Sequence, residues 1–239
     1  MKKTNILSVF CSFILLLSNY SFAAATTSSE KSDNQRFVYE VYYKNISIGE
    51  MIQQYHKKPN GMDVESLANF SFLFYSFGGS QHSDIYWDEQ HKLFLNRSFS
   101  RKNVGFGTTE MSAHFDNINY STQVISNGVE SEYSNPKAPI TGFNTINLQI
   151  SEGIKAGKRD FEFYMQTSDD ISHYFFQVTG TETIKTNFGD LKTYRVEQIK
   201  KSDRTFIAWY APELGHQMVK FHYKRRVLDI SGELITHES

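Results

Sequence analysis

The chain has 239 residues, 25 Lys and Arg against 26 Asp and Glu, and a formal net charge of −1. That near-balance excludes a general nucleic-acid binder, which carries a pronounced basic excess. A single cysteine excludes a disulfide scaffold, and an aromatic content of 15% favours strands over helices.

Residues 1–23 read as a signal peptide. Lys2 and Lys3 precede an apolar run from Ile6 to Leu17, and Ser21-Phe22-Ala23 offers small residues at a cleavage point. A run of about 12 residues suits a secretory leader and is short of the ~20 needed to span a bilayer. The expected mature chain begins near Ala24, in the periplasm, and carries no transmembrane span. Cys11 lies inside the apolar run and away from the cleavage point, so it is not placed for lipidation. Residues 24–35 are small and polar and read as a flexible leader. Residues 36–239 read as one β-rich domain.

Period-two alternation begins at once, with Phe37, Tyr39, Val41 and Tyr43 on one strand face. A turn at Lys44-Asn45 leads to Ile46, Ile48 and Met51. Lys58-Pro59-Asn60-Gly61 is a second turn, because Pro fixes φ and Asn-Gly tolerates positive φ. It joins strands at Glu50–Lys57 and Met62–Phe72. The segment Asn69–Phe77 reads as one strand apolar on both faces, with Phe70, Phe72 and Phe74 opposite Leu73, Tyr75 and Phe77. Further strands are expected at Asp84–Trp87, Leu93–Ser100, Thr108–Phe115 and Tyr120–Ser126. A Pro-containing breaker at 134–139 precedes Ile146, Ile150 and Ile154 at helical spacing, which predicts a short helix over 144–156 capped by Gly157. Six strands follow: Phe161–Gln166, His173–Val178, Lys192–Ile199, Thr205–Tyr210, Met218–Tyr223 and Leu228–Leu234. Their short polar turns predict an antiparallel meander. The expected fold class is all-β, a curved antiparallel sheet of half-barrel or roll form with the one helix over its concave side.

No reaction is legible. Gly105-Phe106-Gly107 lacks the third glycine and the strand–turn–helix context of a dinucleotide site. His216, Met218, Lys220 and His222 share one strand face, but two histidines six residues apart on a strand are ~20 Å apart and do not share a metal. Asp169-Asp170 sits in an expected turn. No catalytic residue, cofactor or metal is assigned. Two other features carry more weight. Phe70, Phe72 and Phe74, with Trp87, suit the wall of an aromatic cavity for an apolar ligand. The meander also places Lys200, Lys201 and Arg204 beside Lys224, Arg225 and Arg226, opposed only by Asp203, as a basic surface for anionic headgroups.

The segment Gly180-Thr181-Glu182 to Lys192-Thr193-Tyr194-Arg195-Val196, followed by Trp209-Tyr210-Ala211-Pro212, resembles a family of exported bacterial proteins classed as a domain of unknown function. Tyr39–Tyr43 with Ile48-Gly49-Glu50 resembles that family's opening hairpin. The resemblance implies a periplasmic or envelope β protein and supplies no catalytic residues. The reading reached is a non-enzymatic envelope protein that binds an apolar or amphipathic ligand such as a lipid or acyl chain. The alternatives are a protein-interaction module in envelope assembly, docking through sheet edges or the aromatic strand, and a hydrolase whose groups assemble from distant positions.

Overall fold

The computed structural model describes residues 34–73, 75–105 and 107–238; the expected signal peptide and Phe74 lie outside them. Alternating burial makes strands of most of this length. The first eight are β1 (Gln35–Tyr43), β2 (Ile46–Lys58), β3 (Gly61–Phe72), β4 (Tyr75–Asp88), β5 (Leu93–Val104), β6 (Thr109–Asp116), β7 (Ser121–Ser126) and β8 (Val129–Ser134). A two-residue β9 (Ile140–Thr141) precedes the helix α1 (Phe143–Lys155). The rest are β10 (Asp160–Gln166), β11 (Ile171–Thr186), β12 (Gly189–Ile199), β13 (Thr205–Ala211), β14 (Gln217–Arg225) and β15 (Leu228–Glu238), with a 3₁₀ turn at Pro212–Leu214.

All fifteen strands form one sheet, in the order β8 to β1 and then β15 down to β9. Two meanders are thus fused where the first strand pairs antiparallel with the last, Val41 opposite Gly232. Only the short β9–β10 pairing is parallel. Bulges at Val41/Tyr42, Asp84/Ile85, Val178/Gly180 and Trp209/Tyr210 bend the strands. The sheet curls until its two edges approach. Thr122 Oγ1 of β7 donates to Gln166 Oε1 of β10 at 2.6 Å, and Ile140 of β9 packs with Phe99, Met111, Phe115 and Val124. The result is a nearly closed barrel with α1 inside it, which is the curved all-β architecture expected from the sequence.

Because successive strands alternate direction, hairpin turns fall into two sets. Turns at 59–60, 89–92, 117–120 and 187–188 lie at one end, where α1 crosses the lumen. Turns at 44–45, 127–128, 167–170, 200–204 and 226–227, and the β3–β4 turn at Leu73, lie at the other. The inward faces form the core: Phe37, Tyr39 and Val41 of β1, Val64, Ala68 and Phe70 of β3, and Ile230 and Leu234 of β15. Each fully buried side chain of this size stabilises the fold by about 1.5–3 kcal/mol.

The expected single strand Asn69–Phe77 is a hairpin, a correction with consequences. The chain reverses at Leu73, which adopts φ 56, and Phe70 pairs with Phe77 while Phe72 pairs with Tyr75. Reversal resets the alternation, so Phe70 and Phe77 lie on the same face with rings 5.8 Å apart. Their side chains do not oppose one another. The strand at Val129–Ser134 was not anticipated, because it is exposed along most of its length and has no buried face to pattern it. The expected common face of His216, Met218, Lys220 and His222 is also broken: the bulge at Trp209/Tyr210 lets Met218 and Val219 both be buried.

Helix α1 starts and stops within one residue of the expected range. Gly157, at φ +79, follows the C-cap and donates to the carbonyl of Ile154.

Candidate functional site

Between α1 and the open end lies a cavity of about 560 Å³. Its lining combines apolar side chains of four strands, Val41, Ile48, Ala68, Phe70 and Phe221, with Ile146 and Ile150 of the helix. Polar side chains line it on two opposite sides.

On one side, the β12–β13 and β14–β15 turns converge. Asp203 sits between two arginines: Arg204 Nε and Nη2 each donate to it at 2.9 Å, and Arg225 Nε donates at 2.9 Å. The Arg204 hydrogen bonds, reinforced by the charges of both guanidinium groups, hold the Asp203 carboxyl down at about 2. Arg204 and Arg225 line the cavity with Tyr174 and Tyr223. Burial pushes the Tyr223 phenol up, so it stays a neutral hydrogen-bonding group. Across the barrel, Gln81 of β4 stands directly opposite Arg101 of β5, with Asn103 two residues on along the same strand face. All three line the cavity. Gln81 Oε1 and Asn103 Oδ1, on residues more than nine-tenths buried, have no hydrogen-bond partner, and neither does Gln198 Nε2 on the far wall. Buried polar atoms are normally paired, so a lumen presenting these groups suits a molecule with its own polar atoms.

The helix is pinned at the closed end by polar contacts. Asn96 Oδ1 accepts from the Gly142 amide and the Thr145 hydroxyl, both at 2.7 Å. Asn147 joins the buried tyrosines, accepting from Tyr210 Oη at 3.0 Å and donating to Tyr55 Oη. Ser151 Oγ donates to the carbonyl of His216 at 2.9 Å. Burial pushes Tyr55 up to about 12 and Tyr39 and Tyr210 also well up. These phenols remain protonated struts.

The lining contains no histidine, and its carboxylates, Glu110, Asp169 and Asp170, lie in exposed positions at the mouth. Among the described residues, no group of three or more His, Cys, Asp or Glu is placed to hold a metal. The nearest thing to a catalytic chain is at the closed end: His91 Nδ1 contacts Asp88 Oδ2 at 2.6 Å and its Nε2 contacts Tyr120 Oη at 2.8 Å. It ties two turns together outside the cavity.

The sequence-expected site residues separate in space. Phe70 lines the cavity. Phe72 packs instead on the ring of Tyr43, 5.1 Å away, and Phe74 is outside the described residues. Trp87 does not share this wall; it is 40% exposed near the closed end, edge-on to Phe94 at 5.1 Å. Trp87 keeps the parity of the buried Ile85, but it is the penultimate residue of β4, at the closed end and away from the cavity. The basic residues do converge: Thr205 pairs with Lys224, and Arg225 reaches Asp203 from the neighbouring turn. Lys200 and Lys201 lie over the rings of Phe175 and Tyr174, and Lys224 reaches Asp229 at 3.4 Å. Arg226 is exposed in the next turn. Sequence reasoning missed Gln81, Arg101 and Asn103. Gln81 stands in a run, Ser80 to Asp84, that is polar at every position, so no alternation marks its inward face.

The recurrent-looking residues of the C-terminal half are structural. Trp209 Nε1 donates to Glu182 Oε1 at 2.6 Å on the outer face, and Arg195 Nε lies 3.5 Å from the same oxygen. Pro212 opens the 3₁₀ turn that Gly215 closes in the left-handed conformation.

A family model described as "Protein of unknown function (DUF3108)" matches residues 38–230. No curated protein matches the chain. Among solved structures, the chain is similar to a β-barrel-like protein of a domain of unknown function, DUF1849, from Brucella abortus. The TM-score is 0.61 at 10% identity, covering 86% of this chain and 97% of that one. At that identity the likeness shows a shared fold.

Proposed function

We propose, from the premise that this chain belongs to the DUF3108 family of proteins of unknown function, that it is a non-enzymatic carrier of an amphipathic ligand, a lipid or acyl chain, in the periplasm. The observation that carries this reading is the cavity, lined by both apolar and polar side chains. Its volume of about 560 Å³ falls within the range of small-molecule sites. The apolar part of the lining, with Ile146 and Ile150 of α1, suits a hydrocarbon chain, and burial of each CH₂ contributes about 0.8 kcal/mol. On the side of the β12–β13 and β14–β15 turns the mouth suits an anionic headgroup, because Arg204 and Arg225 carry two positive charges against Asp203, while Glu110, Asp169 and Asp170 stand elsewhere on the lining. Phe70 is the member of the expected aromatic set that meets the chain.

Docking through a sheet edge finds less support. Edge strand β8 presents Glu130 and Glu132, and charges on an edge discourage strand addition.

Native mass spectrometry of the protein purified from its producing cells tests the reading, together with uptake of a fluorescent fatty acid by delipidated protein. A co-purified acyl lipid and saturable one-to-one uptake are expected. A ligand-free mass combined with no uptake overturns the proposal. Periplasmic location is tested by osmotic-shock fractionation, where release of a chain beginning near Ala24 is expected.

A further inference from the structure

We infer that one arc of the open rim is a docking surface for an anionic lipid bilayer. Going round the barrel, the β3–β4, β1–β2, β14–β15 and β12–β13 turns are successive neighbours at the open end. Contacts lock the first three together. Tyr43 Oη donates to the Val227 carbonyl at 3.2 Å, the Lys44 amide donates to the Asp229 carbonyl at 3.0 Å, and the Tyr43 ring meets Phe72.

These four turns carry seven cations, Lys44, Lys200, Lys201, Arg204, Lys224, Arg225 and Arg226, against two carboxylates, Asp203 and Asp229. The same arc exposes apolar tips: Ile46 at 57%, Leu73 at 78% and Val227 at 55%. Leu73 holds a left-handed φ of 56, which a glycine or asparagine would hold at less cost. An exposed leucine there is not explained by stability. The remaining turns at this end contrast sharply. Residues 105–108 are Gly-Phe-Gly-Thr, 127–128 are Asn-Gly, and 167–170 are Thr-Ser-Asp-Asp, with no cation. The closed end also exposes Ile118 and Trp87, but Asp88, Glu89, Lys92 and Asp116 mix the signs around them.

Cations interleaved with apolar tips complement a bilayer that is negatively charged at its surface and apolar beneath. An acidic protein surface would match the charge but leave the three exposed apolar tips unused. A barrel docked by this arc tilts the mouth, with Arg204 and Arg225, onto the headgroups. The inference is independent of what the cavity holds.

The test is co-sedimentation of the protein, its N-terminus read by mass spectrometry, with vesicles of phosphatidylcholine alone or with about one-third phosphatidylglycerol. Binding is expected only to the anionic vesicles, weakening as salt rises. Lys44→Glu with Arg226→Glu should reduce partitioning about tenfold or more. Leu73→Ser and, separately, Val227→Ser should weaken binding at high salt. Lys137→Glu, an exposed cation at the closed end, should leave it unchanged. Circular dichroism verifies that each variant folds. Fatty-acid uptake without vesicles reads the cavity separately, so lost vesicle binding with intact uptake isolates the rim. Absent binding, equal binding to both vesicles, capture by an acidic protein without vesicle binding, or an equal effect of Lys137→Glu would overturn the inference.

Discussion

Gly153 shows packing overruling propensity. Inside a helix, glycine is less favourable than alanine by about 1 kcal/mol. A methyl group at this position would, however, overlap the ring of Phe161, which lies against the helix. Overpacking a core costs about 1–3 kcal/mol. Gly153→Ala should therefore destabilise the protein, by about 1 kcal/mol net, seen as a lower urea midpoint with an unchanged slope. Gly49 is a stricter case. It has φ +135, and a side chain there would overlap the backbone carbonyl oxygen of Asn69 on the neighbouring strand, which cannot move without breaking the pairing. Gly49→Ala should cost about 3 kcal/mol or more, or abolish folding. Asp203 gives a pH signature. Its folded carboxyl is depressed to about 2 from an ordinary 3.8. The stabilisation from its arginine pairs is therefore complete above the ordinary value and is lost as pH falls through the folded one. Between about pH 4 and about pH 2, the thermal midpoint of the native protein should fall relative to that of Asp203→Asn. The difference is modest because the group is half exposed and screened.

At the scale of elements, α1 is a plug held by hydrogen bonds more than by a continuous apolar stripe. Asn144, Thr145, Gln149 and Ser151 are buried beside Ile146, Ile150 and Ile154. Asn96 on β5 caps the helix in place of a side chain at the cap position itself, where Gly142 stands. Asn96→Ala would strand the Gly142 amide and the Thr145 hydroxyl in the interior. At about 1–3 kcal/mol for each of the two orphaned groups, a loss of about 2–6 kcal/mol is expected in chemical denaturation. The β3–β4 hairpin makes the opposite prediction. Leu73→Gly relieves a left-handed leucine and should raise stability by about 1 kcal/mol, measured as a higher unfolding midpoint. A stabilising change at an exposed tip is the pattern of a residue kept for contact and not for folding.

At the scale of the molecule, closure through β1 and β15 makes the cavity possible. The two ends of the folded chain meet mid-sheet, and the free edges are left short or charged at β9 and β8. With the lumen closed below by α1 and open above, the volume is set by inward residues on many strands. Ala68 is a small residue on that wall, 2% exposed. Ala68→Phe should fill part of the lumen and abolish fatty-acid uptake while the far-ultraviolet circular dichroism stays native. Uptake equal to that of the unmodified protein would locate the ligand elsewhere.

Most strands and the helix were legible because period-two and period-3.6 patterns are local, although β4 and β11 run well beyond the expected Asp84–Trp87 and His173–Val178. The helix over 144–156, the turn at 58–61 and the C-terminal meander needed no partner to be read. The basic cluster was legible for a related reason. In a meander, alternate turns share an end, so 200–204 and 224–226 had to be neighbours. The parity of 69–77 was not legible, since a two-residue reversal inside an apolar run leaves no polar mark. Nor was the separation of Trp87 from Phe70, which depends on the hairpin at Leu73 leaving Trp87 at the opposite end of β4. By itself the sequence determined an all-β chain with one helix and a basic group of turns, because these follow from neighbours along the chain. Only the tertiary structure decided which face became the lumen, set Arg101 across the mouth from Arg204, and gathered Ile46, Leu73 and Val227 on one rim. Those relations arise from closing the sheet on itself, which brings together residues that no local pattern connects.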